Sequence, residues 1–334
     1  TRSCLVSWAR RMCIRDSPAT DPITSNQEDE LTTPAIALQS SSYSTVTDYN
    51  LSLKVTNDLG GLVTIQQNGK VIYRDEPISK SSSLPVELVP NSVNKFTVLY
   101  KPNASDTITS ADEIVATFDV THRDRLGDYD VLYCSPDGTV DGDGTREHPL
   151  DVYSAVGFVD MGKEVVALEG TYKMSKAFAI PLANTGASGH WKTLRADDGA
   201  TVIFDMQDTY EGMTLDGYYW HIKGIDFTNS GDNLKPFLLA GNHCLIEDCT
   251  FYDNGDTGFQ ISRSSDDNIN IDQWPAYNVI KDCESYNNCD PSKINADGFG
   301  LKLTVGYGNI FQRCISHNNL DDGYDAYTKM GTGA

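Results

Sequence analysis

Four aspartates, Asp297, Asp321, Asp322 and Asp325, fall within the stretch NADGFGLKLTVGYGNIFQRCISHNNLDDGYDAYTK that runs from Asn295 to Lys329. Two carboxylates brought to about 5 Å repel by roughly 3 kcal/mol at an effective dielectric near 20. Four in one patch therefore require a cation or shifted pKa values. The donors of such a patch are hard oxygens with no His or Cys among them, a set that favours calcium over zinc or copper. A single Asp-Gly is first of all a turn between strands. A metal site requires that all four be gathered, and gathering requires a scaffold.

The scaffold is a repeat. HIKGIDFTNSG from His221, LIEDCTFYDNG from Leu245, VIKDCESYNNC from Val279 and IFQRCISHNNL from Ile310 align without gaps, 24, 34 and 31 residues apart. Periods of this size, carried by short alternating apolar and polar runs with Asn and Gly at turns, indicate a solenoid of strands. The fold class is all-β, a parallel β-helix whose equivalent residues stack about 4.8 Å apart. Beyond each repeat a second strand follows: DTGFQI, ADGFGL and DDGYDA, which sets Thr257, Asp297 and Asp322 in one column. Asp321 is the neighbour of Asp322, and Asp325 lies on the strand that follows, so the four acids meet on two adjacent coils. The column Ser230, Asn254, Asn288 and Asn319 reads as an internal hydrogen-bonding ladder. Cys249, Cys283 and Cys314 share a column with Ile225 and read as small buried apolar groups rather than disulfides. Val165, Ile203, Ile225, Phe227, Ile246, Val279 and Phe311 are the expected inward residues.

The run from about Gly199 to Ala334 resembles the family 9 pectate lyases, a family of right-handed parallel β-helices. The resemblance rests on DGYYWHIKGIDF, DTGFQISR, a WP before a coil, SYNNCDP, NADGFGLKLTVGYGN and DDGYDAYTK, in order. It implies that Asp297, Asp321, Asp322 and Asp325 hold calcium. It also implies a catalytic lysine on a later coil, downstream of DDGYD, to which no residue up to Ala334 can be matched. The β-helix is thus expected over residues 128–334 and incomplete at its C-terminal side, with weak calcium binding and no activity in the isolated chain.

The chemistry implied is β-elimination in polygalacturonate. The proton at C5 is removed next to a carboxylate whose charge calcium withdraws. A base must be neutral at neutral pH. Lys302, on the strand after Asp297, is the nearest basic group and is read as a partner for a substrate carboxylate or an Asp. Arg263 and Lys329 are further substrate-binding candidates. Two alternatives stand beside this reading: a lyase for another uronan, and a non-catalytic calcium-stabilised polysaccharide-binding or adhesion module.

The formal charge of −21 excludes a nucleic-acid or anionic-membrane partner, so attraction of a polyanionic saccharide must be local. No apolar run is long enough to span a membrane. A polymeric substrate implies secretion, although no signal peptide is visible, and a monomer is expected. Residues 1–17, TRSCLVSWARRMCIRDS, are basic in an acidic chain, and MCIRDS looks like translated adapter read-through; they are set aside as a non-native leader. Residues 18–44, rich in Ser, Thr, Pro, Asp and Glu, read as a disordered linker. Short strand signals over 45–122, with Asn68-Gly69 as a type I′ hairpin turn, predict an immunoglobulin- or fibronectin-like sandwich. It reads as a spacer, with Tyr43, Tyr49, Tyr73 and Tyr100 as core or edge residues. Pro149 to Val159 predicts a short amphipathic helix, with Pro in its first turn, capping the solenoid. The DGDG run before it reads as a turn. His317 is placed in an exposed turn, and none of the six His forms a recognisable triad.

Overall fold

The structure, a computed structural model, describes residues 34–55, 60–104, 112–124, 126, 129–266 and 268–328. Two compact units divide after Asp124. The leader of residues 1–17, the first part of the expected linker and Lys329 lie outside the described residues.

In the first unit, residues alternate inward and outward along each strand. The strands are β1 (Ile36–Leu38), β2 (Tyr43–Ser44), β3 (Asp48–Val55), β4 (Gly61–Gln67), β5 (Lys70–Ile78), β6 (Ser81–Glu87), β7 (Ser92–Pro102) and β8 (Ile114–His122). They form a three-stranded sheet, β1-β3-β6, and a five-stranded sheet, β2-β8-β7-β4-β5. Leu51, Leu53, Val63, Ile65, Phe96, Val98 and Val120 form the shared core. The turn between β4 and β5 has positive φ at both Asn68 (51°) and Gly69 (81°), as a type I′ hairpin requires. Tyr100 is fully buried and its hydroxyl donates to the Gly60 carbonyl at 3.0 Å, while Tyr49 and Tyr73 pack half-buried against the same core. The linker reading ends too late. β1 pairs antiparallel with β3, with Ile36 opposite Val55, because the PAIAL segment supplies an apolar residue that the sandwich core can bury.

The second unit is a solenoid of three parallel sheets. The first sheet stacks Val131–Cys134, Glu164–Ala167, Lys192–Ala196, Trp220–Lys223, Leu245–Glu247, Val279–Lys281 and Ile310–Gln312 in that order. The second runs from Gly170–Lys173 to Ile315–His317, and the third from Phe178–Ile180 to Tyr324–Thr328. Between the first and second sheets each of the last four coils turns on a left-handed residue: Gly224 (φ 69°), Asp248 (55°), Asp282 (54°) and Arg313 (54°). A second left-handed position follows at Asn229, Asp253, Asn287 and Asn318. Gly, Asn and Asp tolerate this conformation, which is why these types recur there.

The core is columnar. Ile222, Ile246, Ile280 and Phe311 line the first sheet. Phe227 stacks on Phe251 at 5.4 Å between ring centroids, and Phe237 on Phe259 at 5.1 Å. Two expected core residues face the other way. Ile203 stacks with Asp226, and Val279 with Leu245 and Ile310, each one place from the inward Phe204 and Ile280. Strand side chains alternate, so a slip of one residue moves a side chain to the opposite face.

The Asn column forms the expected ladder. Asn254 donates through Nδ2 to Asn288 Oδ1 at 2.9 Å, and Asn288 in turn to Asn319 Oδ1 at 2.8 Å. A second ladder, Asn278 to Asn309 at 2.9 Å, lies before the first sheet. Cys249 and Cys283 are buried free thiols and Cys314 is half-buried; Cys134, Cys244 and Cys289 are free as well. His317 is on a strand, its ring stacked on Tyr286 at 5.1 Å. Helix α1 (Val152–Phe158) is shorter than expected. Asp151 caps it by accepting from Ser154 N at 2.9 Å, so Pro149 precedes the helix. No helix of the described residues is long and apolar enough to cross a membrane.

Candidate functional site

The third sheet sets the site. Phe259 stacks on Phe299, and Phe299 on Tyr324. Counting back, Thr257, Asp297 and Asp322 share one column, and their corners are tied by Gly258 N to Asp297 O and Gly298 N to Asp322 O, both 2.9 Å. Close approach of the coils requires glycine here: a Cβ at Gly298 would stand 1.9 Å from Ser316 Oγ. Asp321 N donates to Ala296 O at 3.1 Å, which brings Asp321 beside Asp297. The loop before Asp297 is held by Asp290, a buried carboxylate that accepts from Ser292 N (3.1 Å), Ile294 N (3.1 Å) and Asn295 N (3.0 Å).

Asp297 is fully buried, and Asp321 and Asp322 are exposed. One carboxylate oxygen from each lies within 4.8 Å of the others. A calcium ion holds oxygens at about 2.4 Å, so it can bridge oxygens up to about 4.8 Å apart; the donor set fits it. Asp297 accepts from Thr257 Oγ1 at 3.3 Å and from Asp322 N at 3.2 Å. Burial raises the Asp297 pKa above the ordinary carboxylate range, against the lowering effect of Lys302. Asp321 is also raised, by burial and then by repulsion from Asp297 and Asp322. Both shifts have the sign of a site short of positive charge.

Of the expected residues, Asp297, Asp321 and Asp322 converge. Asp325 stands opposite Gly300 in the stack, and its carboxylate pairs with Lys302. The Lys302 ammonium also lies 2.7 Å from Asp297 Oδ2. Burial depresses the Lys302 pKa, but hydrogen bonds to Asp297 and Asp325 outweigh it and the net shift is upward. Arg263 does not join the site. Its guanidinium donates to the Asp266 and Asn268 carbonyls at 3.1 Å and to Asp266 Oδ1 at 2.6 Å, closing its own loop. The position of Lys329 is outside the described residues. Sequence reasoning missed Asp290 and Thr257 as supports of Asp297. Thr257 was already in the aspartate column, whereas nothing in the CDP segment marks Asp290 as the anchor of a loop.

Comparison with known proteins follows the same division. Residues 132–333 match the family described as Pel9A-like, right handed beta helix region. Residues 37–123 match the pectate disaccharide-lyase central Ig-like domain. Pectate lyase L of Thermoclostridium stercorarium is 42% identical over 300 residues, which is 89% of this chain and 24% of that protein. The pectate disaccharide-lyase of Dickeya chrysanthemi is 31% identical over 322 residues, 96% of this chain and 40% of its own. The chain thus spans well under half the length of these curated relatives. The crystal structure of pectate lyase Pel9A superposes with a TM-score of 0.52 at 26% identity, covering 61% of this chain and 52% of that one. With residues 132–333, more than half of the chain, matched by that family and folded here as three parallel sheets, the chain belongs to the Pel9A-like right-handed β-helix family.

Proposed function

We propose that the solenoid carries the calcium site of a secreted pectate lyase that cleaves polygalacturonate by β-elimination. The observation that carries this reading is the meeting of Asp297, Asp321 and Asp322 oxygens within 4.8 Å, in a chain of this family. The names of its relatives, pectate lyase L and pectate disaccharide-lyase, support the substrate.

When bound, calcium supplies charge withdrawal from the sugar carboxylate, which makes the C5 proton easier to remove. The buried Asp297 anchors the ligand set from below, held by Thr257 and the Asp322 amide. Asp321 and Asp322 close it from the next coil, and Asp325 completes it once its carboxylate turns from Lys302. Lys302 is a binding group rather than the base. Its ammonium is engaged by Asp297 and Asp325, two of the expected ligands, rather than standing free beside the cluster. It pairs instead with a sugar carboxylate. The base is a lysine downstream of the DDGYD segment, as the family resemblance implies.

The test is release of unsaturated uronide from polygalacturonate, followed by ultraviolet absorbance, for this chain and for a version carrying further downstream coils. Activity is expected in the longer form, abolished by chelator and reduced at least about 100-fold in Asp297→Asn, since the ligand set then loses its buried charge. Silence of both forms with calcium present overturns the reading for this substrate and turns the search to other uronans.

A further inference from the structure

Asp325 is absent from the group that Asp297, Asp321 and Asp322 form. Its carboxylate is held by Lys302 instead, and the same ammonium touches Asp297 Oδ2 at 2.7 Å. Lys302 and Gly300 lie on one face of the strand Phe299–Leu303, because side chains two apart share a face. The lysine stem crosses the space that Gly300 leaves open. A Cβ at position 300 would stand 3.1 Å from Lys302 Cε, 3.3 Å from Lys302 Cγ and 3.2 Å from Thr257 Cγ2. The Lys302 side chain is 23% exposed and Asp297 is fully buried, so the cation reaches into the cluster rather than resting above it.

Two of the four carboxylates assigned to calcium are therefore already occupied by a cation built into the chain. An ammonium and a divalent ion that share these oxygens repel each other, and each must weaken the other's hold. The ammonium has three donors and readily exchanges one carboxylate for another. We propose that Lys302 is a tethered competitor of calcium. It neutralises Asp297 and Asp325 in the metal-free site, keeps calcium affinity low there, and releases Asp325 when an acidic saccharide offers the ammonium its own carboxylate. Beyond the direct meeting of calcium with the sugar carboxylate, calcium and saccharide then gain positive coupling carried by one lysine, and each raises the affinity of the other by the same factor. This inference rests on the calcium reading of the aspartate cluster.

The experiment is calorimetric titration of the 334-residue chain with calcium, alone and with saturating trigalacturonate, in native, K302M and K281M forms. K302M is expected to bind calcium about tenfold more tightly than the native chain when no saccharide is present. Trigalacturonate should tighten calcium binding in both, through the contact of its carboxylate with calcium, and by a clearly larger factor in the native chain than in K302M. K281M removes an equal charge from an ion pair with Glu247 on the first sheet and should follow the native chain. G300A keeps the charge but fills the space the lysine stem crosses, so it should move toward K302M, and it serves if K302M fails to fold. Equal or weaker calcium binding by K302M, or a saccharide effect as large in it as in the native chain, overturns the role of the lysine while leaving the calcium site standing. If the native chain, K302M and G300A all fail to bind calcium, the calcium reading falls and this inference with it.

Discussion

Lys192 is 8% exposed, donates to Asn184 Oδ1 at 2.5 Å and lies 5.8 Å from the centre of the Trp220 ring. Burial pulls its pKa from the ordinary 10.5 down to about 8, against a raising pull from Asp160. The sign follows from proton binding. A base whose folded pKa is depressed binds its proton less well folded than unfolded. The penalty is therefore fully present below about pH 8 and fades as pH rises toward 10.5. Relative to Lys192→Met, the native chain should gain roughly 2 kcal/mol of stability between pH 7 and pH 10, discounted from the full shift. Urea denaturation at the two pH values measures it, and parallel curves at both would show that Lys192 is not buried as a cation. The same balance of burial against partnership governs the acidic cluster, where Asp297 and Asp321 are raised and Lys302 offsets part of the deficit.

Coils are held in register by elements that repeat. Asn288 Oδ1 accepts from Asn254, and its Nδ2 donates to the Phe251 carbonyl at 3.2 Å and to Asn319 Oδ1 at 2.8 Å. Asn288→Ala leaves buried partners on both neighbouring coils unpaired and should cost about 2–3 kcal/mol, read as a lower denaturation midpoint; a change under half of that would mean water replaces the ladder. This ladder was legible because the repeat aligns Asn254, Asn288 and Asn319 without gaps. The hairpin at Asn68-Gly69 was legible because only residues that accept positive φ at two successive positions can make that turn. Other features were not. Ile203 and Val279 are apolar yet face outward, since a strand pattern fixes alternation but not which phase is inside when both faces carry apolar residues. The left-handed corner at Arg313 is hidden because arginine is a rare choice where Gly224, Asp248 and Asp282 are common ones. The column of Thr257, Asp297 and Asp322 could be counted from sequence, but the turning of Asp325 to Lys302 depends on side-chain rotation, which spacing does not encode. Arg263 is likewise drawn into its own loop by carbonyls that no motif marks.

At the scale of the whole molecule, two cores of different construction sit on one chain: the sandwich core of Leu51, Val63, Phe96 and their neighbours, and the stacked columns of the solenoid. Each is expected to melt on its own. Calorimetry should resolve two transitions, and calcium should raise the one belonging to the solenoid while leaving the other in place; a single transition that moves as a whole would show the two cores to be energetically fused. The corners of the solenoid carry a last consequence. Between the first and second sheets the last four coils use the same tight turn, at Gly224, Asp248, Asp282 and Arg313. The segments bordering the third sheet, such as 229–236, 253–258, 262–278 and 287–298, differ from coil to coil. Within these four coils variation thus lies at the rims of the very surface that displays the aspartates. Lengthening or trimming those rims would reshape what the surface admits without shifting one rung of the stack, so such a scaffold can change its diet while keeping its chemistry.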